Sequence, residues 1–386
     1  MTEDPSVRLL TPAFVALALS ELAYFAATGV LIAVTPLFVT GPLGSGEAAV
    51  GVAMGSFSVT TLLLRPLAGR WTDRRGRRAL FVGGAVAFTA VVLGHYLVTG
   101  LAGLIAVRLL LGMAEALFFV AGFAALADLA PPGRTGEALS LNSLALYLGV
   151  ATGPVLGQVL LRRGGFDLAW AGAAALGVVA IVLATRVPET RPPVDQDLAP
   201  APLLHSAAVV PGLGLFSGVA AMAGFLAFAV LQARSVGIEA WSLVLLVFGA
   251  TVVGCRVMFA KLPDRLAPYG LAGLALAGVA VGLVVTGTAH SPVGLFIGTV
   301  VMAVGVAFLT PAVFTAVFTA VPAAERGSAA ATTSIFIDLG LSGGPMLLGL
   351  TAAATSVPTG FLIVAGLPVV GSSLLLVVNF RRTAIA

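Results

Sequence analysis

Four ionisable residues, Glu21, Arg108, Glu115 and Asp338, stand inside long apolar stretches of a chain in which only 9% of residues are charged. An ionisable group at membrane depth costs about 2.5–3.5 kcal/mol on insertion scales, so residues kept there mark ion or substrate pathways. One cation against three acids leaves a surplus of carboxylates, which must hold protons or face a cationic substrate. Glu21 has Tyr24 and Phe25 on the same helix face, an acid beside aromatic rings that suits a lipophilic cation. Arg108 and Glu115 are seven residues apart and share a face, separated by about 10 Å, so one network holds them more readily than one ion pair. Asn142, Tyr147 and Gln232 add polar groups on other stretches, where interhelical hydrogen bonding or interface anchoring would serve equally well.

A second concentration of charge is "GRWTDRRGRR" (69–78). Arginines alone would anchor a loop on one side of a bilayer, but an anchor needs neither Asp73 nor the glycines Gly69 and Gly76. Glycine allows a tight turn, and a short carboxylate accepts from a helix N-terminus or from an arginine across a gap. The chemistry expected of Asp73, Arg74, Arg77 and Arg78 is a latch that closes one side of the molecule.

The elements that must position these groups follow from composition. Of 386 residues 59% are hydrophobic, and the mean hydropathy is +1.10; a soluble domain carries about 25% charged residues. Twelve apolar stretches lie at 12–38, 48–67, 79–99, 101–126, 138–161, 167–186, 207–231, 241–260, 269–288, 292–318, 328–354 and 358–380. Each is long enough to cross a hydrocarbon core of about 30 Å, and each is apolar on all sides. They predict an all-α polytopic membrane protein. The first stretch is too long for a signal peptide and contains Glu21, so it is expected to be retained. The single cysteine, Cys255, excludes an internal disulfide and a cysteine-based metal cluster. His95, His205 and His290 are scattered near stretch ends, so no metal site is expected.

The basic pI of 9.8 is a topology signal rather than a nucleic-acid footprint. With the N-terminus in the cytoplasm, Arg162, Arg163 and Arg234 face outward and Arg108 lies within a span. The other sixteen of the 20 Lys and Arg fall on the cytoplasmic side. Both termini are then cytoplasmic.

The sequence also repeats. A shift of 191 residues lays Arg65, Asp73 and Arg74 on Arg256, Asp264 and Arg265. It lays Pro131, Gly136 and Ser143 on Pro322, Gly327 and Ser334, and Gly149, Gly153 and Pro154 on Gly340, Gly344 and Pro345. Two parallel six-helix repeats follow, 1–186 and 207–386, related by an axis along the membrane normal. The Pro-rich segment 187–206 reads as a cytoplasmic linker.

The loop motif resembles the signature of the major facilitator superfamily between helices 2 and 3, with Gly69, Asp73, Arg74, Gly76, Arg77 and Arg78 matching and Trp71 in place of an aliphatic residue. "AKLPDRLAPY" in the second half keeps Asp264 and Arg265 but loses the glycines and the basic tail. "LIAVRLLLGMAEA" (104–116) resembles the family's helix 4 motif at Leu104, Arg108 and Gly112; Leu111 replaces the usual glutamine, and Glu115 stands at a position where the family has a small residue. "GVATGPVLGQ" (149–158) resembles the helix 5 signature of drug/proton antiporters, with Gly149, Gly153, Pro154 and Gly157 matching and Gln158 departing. Close packing at glycines and a proline bend are the bare physical reading of that motif, and it recurs in "GLSGGPMLLG" around Gly340, Gly344 and Pro345.

The resemblance implies a twelve-helix secondary transporter working by alternating access, a proton-coupled exporter of drug-like molecules or sugars. Metabolite uptake with protons and lipid or glycolipid flipping are the competing transport readings; a non-transporting receptor or scaffold would gain nothing from buried acids or a latch. Nothing resembles a phosphate-binding loop, so the proton gradient is the expected energy source, with no cofactor and no enzymatic activity. Expected partners are a small-molecule substrate, protons and the lipid bilayer, with no nucleic acid, and the chain is expected to be a monomer. Near-exclusive use of arginine, with a single Lys261, alongside abundant Ala and Gly suggests a bacterial cytoplasmic membrane.

Overall fold

The computed structural model describes residues 9–131, 134–191, 205–259, 262–322 and 325–385, and every regular element among them is helical. The first half holds α1 (Pro12–Thr40), α2 (Glu47–Arg75), α3 (Arg77–Leu93), α4 (Leu101–Leu129) and α5 (Thr135–Ala184). The second holds α6 (Val209–Ser235), α7 (Ser242–Met258), the one-turn α8 (Leu262–Arg265), α9 (Pro268–Thr288), α10 (Pro292–Thr319), α11 (Arg326–Ala354), α12 (Val357–Val364) and α13 (Gly366–Ile385).

Ten of these helical stretches are long and apolar enough to cross a membrane. One of them, Leu141–Ala184, has 44 residues and would span about 66 Å if straight, twice the hydrocarbon core. It is broken at Gly164 and Gly165, whose backbone leaves helical geometry, Gly165 with φ of 66°. Only glycine takes that conformation cheaply, so α5 is two crossings with limbs on either side of the break. Adding the seventeen-residue α7, at the short limit for a span, gives twelve crossings among the described residues. The last crossing is interrupted at Ala365, between α12 and α13.

The chain divides into two compact units, Met1–Val34 with Val59–Gln196, and Thr35–Ser58 with Asp197–Ala386. The linker expected at 187–206 lies outside the described residues except for 187–191 and 205–206.

The first unit is held by an aromatic core of Tyr24, Phe81, Phe88, Phe118 and Trp170, all fully buried. In the second unit Leu215, Leu276, Leu309, Val313 and Leu375 form the main cluster, with Phe225, Phe248 and Phe361 beside one another. The repeat is visible inside each unit by itself. A side chain at Gly153 on α5 would strike the backbone of Gly29 on α1, 2.8 Å from its Cα. Its counterpart Gly344 on α11 sits as tightly on Ala220 of α6, the residue that the 191 shift lays on Gly29. Gly149 meets Phe25 and Ala26, Gly340 meets Val219 and Ala220, and Gly157 rests on Val30 and Val34. Pro154 and Pro345 lie inside their helices.

Candidate functional site

The Glu21 carboxylate is buried in the first unit, between α1, α4 and α5. Its Oε2 accepts a 2.5 Å hydrogen bond from Asn142 Nδ2 on α5. Its Oε1 lies against Gly122 of α4, where a Cβ would stand 2.7 Å from that oxygen and 2.9 Å from the Phe81 ring. The absence of a side chain at 122 is what makes room for the acid. Ser20, the preceding residue, donates its hydroxyl to Ala180 O on the second limb of α5 (2.8 Å) and so holds α1 at this depth.

One turn further along α1, Tyr24 stacks on Phe118 with ring centroids 4.0 Å apart and packs on Phe88 at 4.2 Å. Phe118 in turn stacks on Phe81 at 4.4 Å. Phe25 meets Tyr24 edge-on at 5.6 Å and Phe119 at 6.5 Å. Aromatic pairs of this kind contribute about 0.5–1.5 kcal/mol beyond their buried area, so the acid sits in a stiff apolar cage. Glu115, half-buried on α4, is within electrostatic reach of both Glu21 and Tyr24. Arg108 is buried two turns earlier on the same helix and is close enough to act on His95, which stacks on Trp170 at 4.4 Å. Steps of seven put Arg108, Glu115 and Gly122 on one stripe of α4. Tyr147 is half-buried on α5. Gln232 on α6 and Asp338 on α11 are buried within the second unit.

The arginine-rich segment differs from the loop expected. α2 runs through Arg75 and α3 begins at Arg77, so Gly76 is the only break. Its φ of 98° requires glycine. Gly69 lies inside α2 with nothing within 4 Å of a built Cβ, so it provides no turn: the helix simply continues past it. Asp73 is 73% exposed and binds Arg77 Nη1 at 3.1 Å, one turn along its own segment. Arg77 Nε also binds Asp128 Oδ2 at the end of α4, at 3.1 Å, and Thr190 donates to the same oxygen at 3.1 Å.

Glu189 completes this cluster. The backbone N–H groups of Arg77 (2.8 Å) and Arg78 (3.2 Å) donate to its two oxygens, which capture the first amides of α3. Arg191 N donates to Glu189 Oε1 at 3.0 Å, and the Arg191 guanidinium reaches Arg74 O at 2.6 Å. Desolvation pushes the Glu189 carboxyl up, but the N–H groups of Arg77, Arg191, Arg78 and Thr190 outweigh it and hold the group below the ordinary carboxylate value. In the second half Arg265 is exposed at the end of α8, and the Asp264 side chain lies outside the described residues.

Sequence reasoning passed over Asp128, Glu189 and Gly122. Each acid stands at the end of an apolar stretch on the arginine-rich side, a signal that pairs ends of stretches rather than residues within a motif. Gly122 carries no signal in sequence, because its role depends on which side chain faces it.

Twelve apolar crossings, with a buried carboxyl inside the first unit, define a polytopic membrane protein. The sequence profile described as "Major Facilitator Superfamily" matches residues 17–286, and the chain belongs to that superfamily. It is 29% identical over 375 residues to an uncharacterized MFS-type transporter of Burkholderia mallei (strain SAVP1), covering 93% of this chain and 90% of that relative. It is 27% identical over 364 residues to the uncharacterized MFS-type transporter YhhS of Escherichia coli (strain K12), covering 92% and 89%. Among solved structures, the fold is similar to a bacterial homolog of the human lysosomal transporter Spinster in an inward-facing, occupied conformation (TM-score 0.79, 15% identity, 95% of this chain and 96% of that one). The nucleoside transporter NupG (D323A mutant) gives a TM-score of 0.75 at 14% identity, covering 95% and 99%. The protein is therefore a secondary transporter of the bilayer that acts on a small-molecule substrate.

Proposed function

We propose that the protein is a proton-coupled exporter of drug-like molecules or sugars in a bacterial cytoplasmic membrane, working as a monomer by alternating access. The observation that carries this reading is the Glu21 carboxyl, enclosed by aromatic rings and bonded to a single amide. The proton affinity of a buried carboxyl changes when water or a cation reaches it. A group in that position binds a proton in one access state and releases it in the other, which couples a proton gradient to movement without a cofactor. Glu115, Arg108 and Tyr24 supply the electrostatic surroundings that set the balance, and Asn142 holds the carboxyl in place.

In this reading residues 1–186 and 207–386 are the two moving halves joined by the 187–206 linker, and both termini are cytoplasmic, as the placement of arginines supports. Asp73 closes the cytoplasmic side, while the Arg77, Asp128 and Glu189 cluster keeps its segment rigid. The helix 5 signature around Gly149 and Pro154 supports export over uptake. The test is transport by the purified chain in proteoliposomes under an imposed pH gradient, screened over cationic drugs and sugars. Movement of at least one class outward against its gradient, with counter-movement of protons, is expected; transport of every substrate independent of pH would overturn the proton-coupled reading.

A further inference from the structure

We propose that the seam between α3 and the second limb of α5 binds an anionic phospholipid, with Arg78 and Arg186 holding its phosphate. The two helices each present an apolar stripe to their surroundings: Val86 and Leu93 on α3 are 47% and 48% exposed, and Val179 and Val182 on α5 are 47% and 52% exposed. In a membrane protein such stripes are covered by acyl chains. Gly83, on the same face of α3 as Val86, has nothing within 4 Å of a built Cβ and leaves an open notch between them and the arginines.

Both stripes end, on the same side, in an exposed arginine. Arg186 stands one turn beyond Val182, and Arg78 lies in the first turn of α3. Arg78 Nη2 donates to Thr185 O at 2.9 Å, which draws the two helix ends together and ties the Arg78 guanidinium to the residue preceding Arg186. Among the described residues, the carboxylates of this region are committed elsewhere. Asp73 and Asp128 bind Arg77, and Glu189 is filled by backbone amides. Two guanidiniums with donors to spare, directly below an apolar groove, match a phosphate attached to acyl chains. A zwitterionic headgroup would bring its own cation toward them, so the fit is to a lipid of net negative charge. That the leaflet is the cytoplasmic one rests on the orientation proposed above.

The test measures association of spin-labelled phosphatidylglycerol and phosphatidylcholine with the full chain reconstituted in phosphatidylcholine vesicles. Wild type is expected to prefer phosphatidylglycerol, and Arg186→Gln to lose about fivefold of that preference, as one arginine near a charged surface does. The pair Arg78→Gln with Arg186→Gln should bring the two lipids level. Arg186→Lys should retain most of the preference, and Arg162→Gln with Arg163→Gln, on the other side, all of it. No preference in wild type, or an undiminished one in the double variant, would overturn the proposal. Displacement by millimolar inorganic phosphate would overturn it in favour of a soluble-anion site. Should the double variant fail to fold, raised salt on wild type must weaken the preference, and a salt-independent preference counts against the site. None of these readouts depends on transport, so they stand apart from the exporter reading.

Discussion

Among single residues, the proposed coupling turns on how Glu21 is housed. The acid and its aromatic neighbours were legible in sequence because a charge in an apolar stretch is conspicuous and Tyr24 follows at helical spacing. Asn142 was legible only as a polar residue on another stretch; that it bonds Glu21 depends on the depth at which α1 and α5 meet, which Ser20 and Gly153 set. Gly122 was invisible for the same reason. Adding a methyl there meets both Glu21 Oε1 and Phe81, and overpacking of this kind costs about 1–3 kcal/mol. Gly122→Ala is therefore expected to lower the thermal midpoint in detergent and to slow transport. Gly254→Ala on α7, where a Cβ meets nothing within 4 Å, should leave the midpoint unchanged or slightly raised, since alanine is the better helix former. Equal midpoints for the two variants would contradict the tight housing of the carboxylate.

Elements were the most readable level, and the exceptions have physical causes. Apolar runs mark spans directly, and the break between the fifth and sixth spans falls at "RRGG" because Gly165 alone can take its backbone angle. The arginine-rich segment was harder: a charged run reads as a loop, yet helix propensity carries α2 to Arg75 and only Gly76 interrupts it. Its anchor, Glu189, comes from the segment just past the end of α5, a pairing that no local pattern announces.

Because the Glu189 carboxyl is held below its ordinary value, it contributes stability above the ordinary carboxylate range and loses it as the pH falls through its lowered value. Thermal midpoints of wild type and Glu189→Gln should thus differ at neutral pH, with wild type higher, and converge on acidification. A gap that is constant with pH would place the anchor elsewhere. The exposed Asp73 is expected to matter for movement rather than for folding. Asp73→Asn should leave stability within about 0.5 kcal/mol of wild type, as surface changes do, while cutting transport strongly. Asp264→Asn should be milder, since its segment lacks the glycines and the basic tail. Initial transport rates of the two variants in proteoliposomes check the ranking, and greater damage from Asp264→Asn would reverse it.

For the whole molecule, the membership of the superfamily joins what the repeat and the spans each imply. A shift of 191 residues lays Gly29 on Ala220 and Gly153 on Gly344; Gly153 packs on Gly29 in the first unit and Gly344 on Ala220 in the second, so the duplication in sequence is a duplication in packing. Substrate was not legible, because specificity rests on a few side chains whose neighbours come from distant stretches. Glu21→Gln isolates the energy source. Glutamine keeps an oxygen for the Asn142 amide and fills the same space, but it cannot exchange a proton. The decisive measurement is transport by Glu21→Gln in proteoliposomes, with an imposed pH gradient and, separately, as substrate exchange at equal pH on both sides. We expect gradient-driven accumulation to vanish while exchange persists; full gradient-driven transport by Glu21→Gln would contradict the account and shift the coupled proton to Glu115 or Asp338.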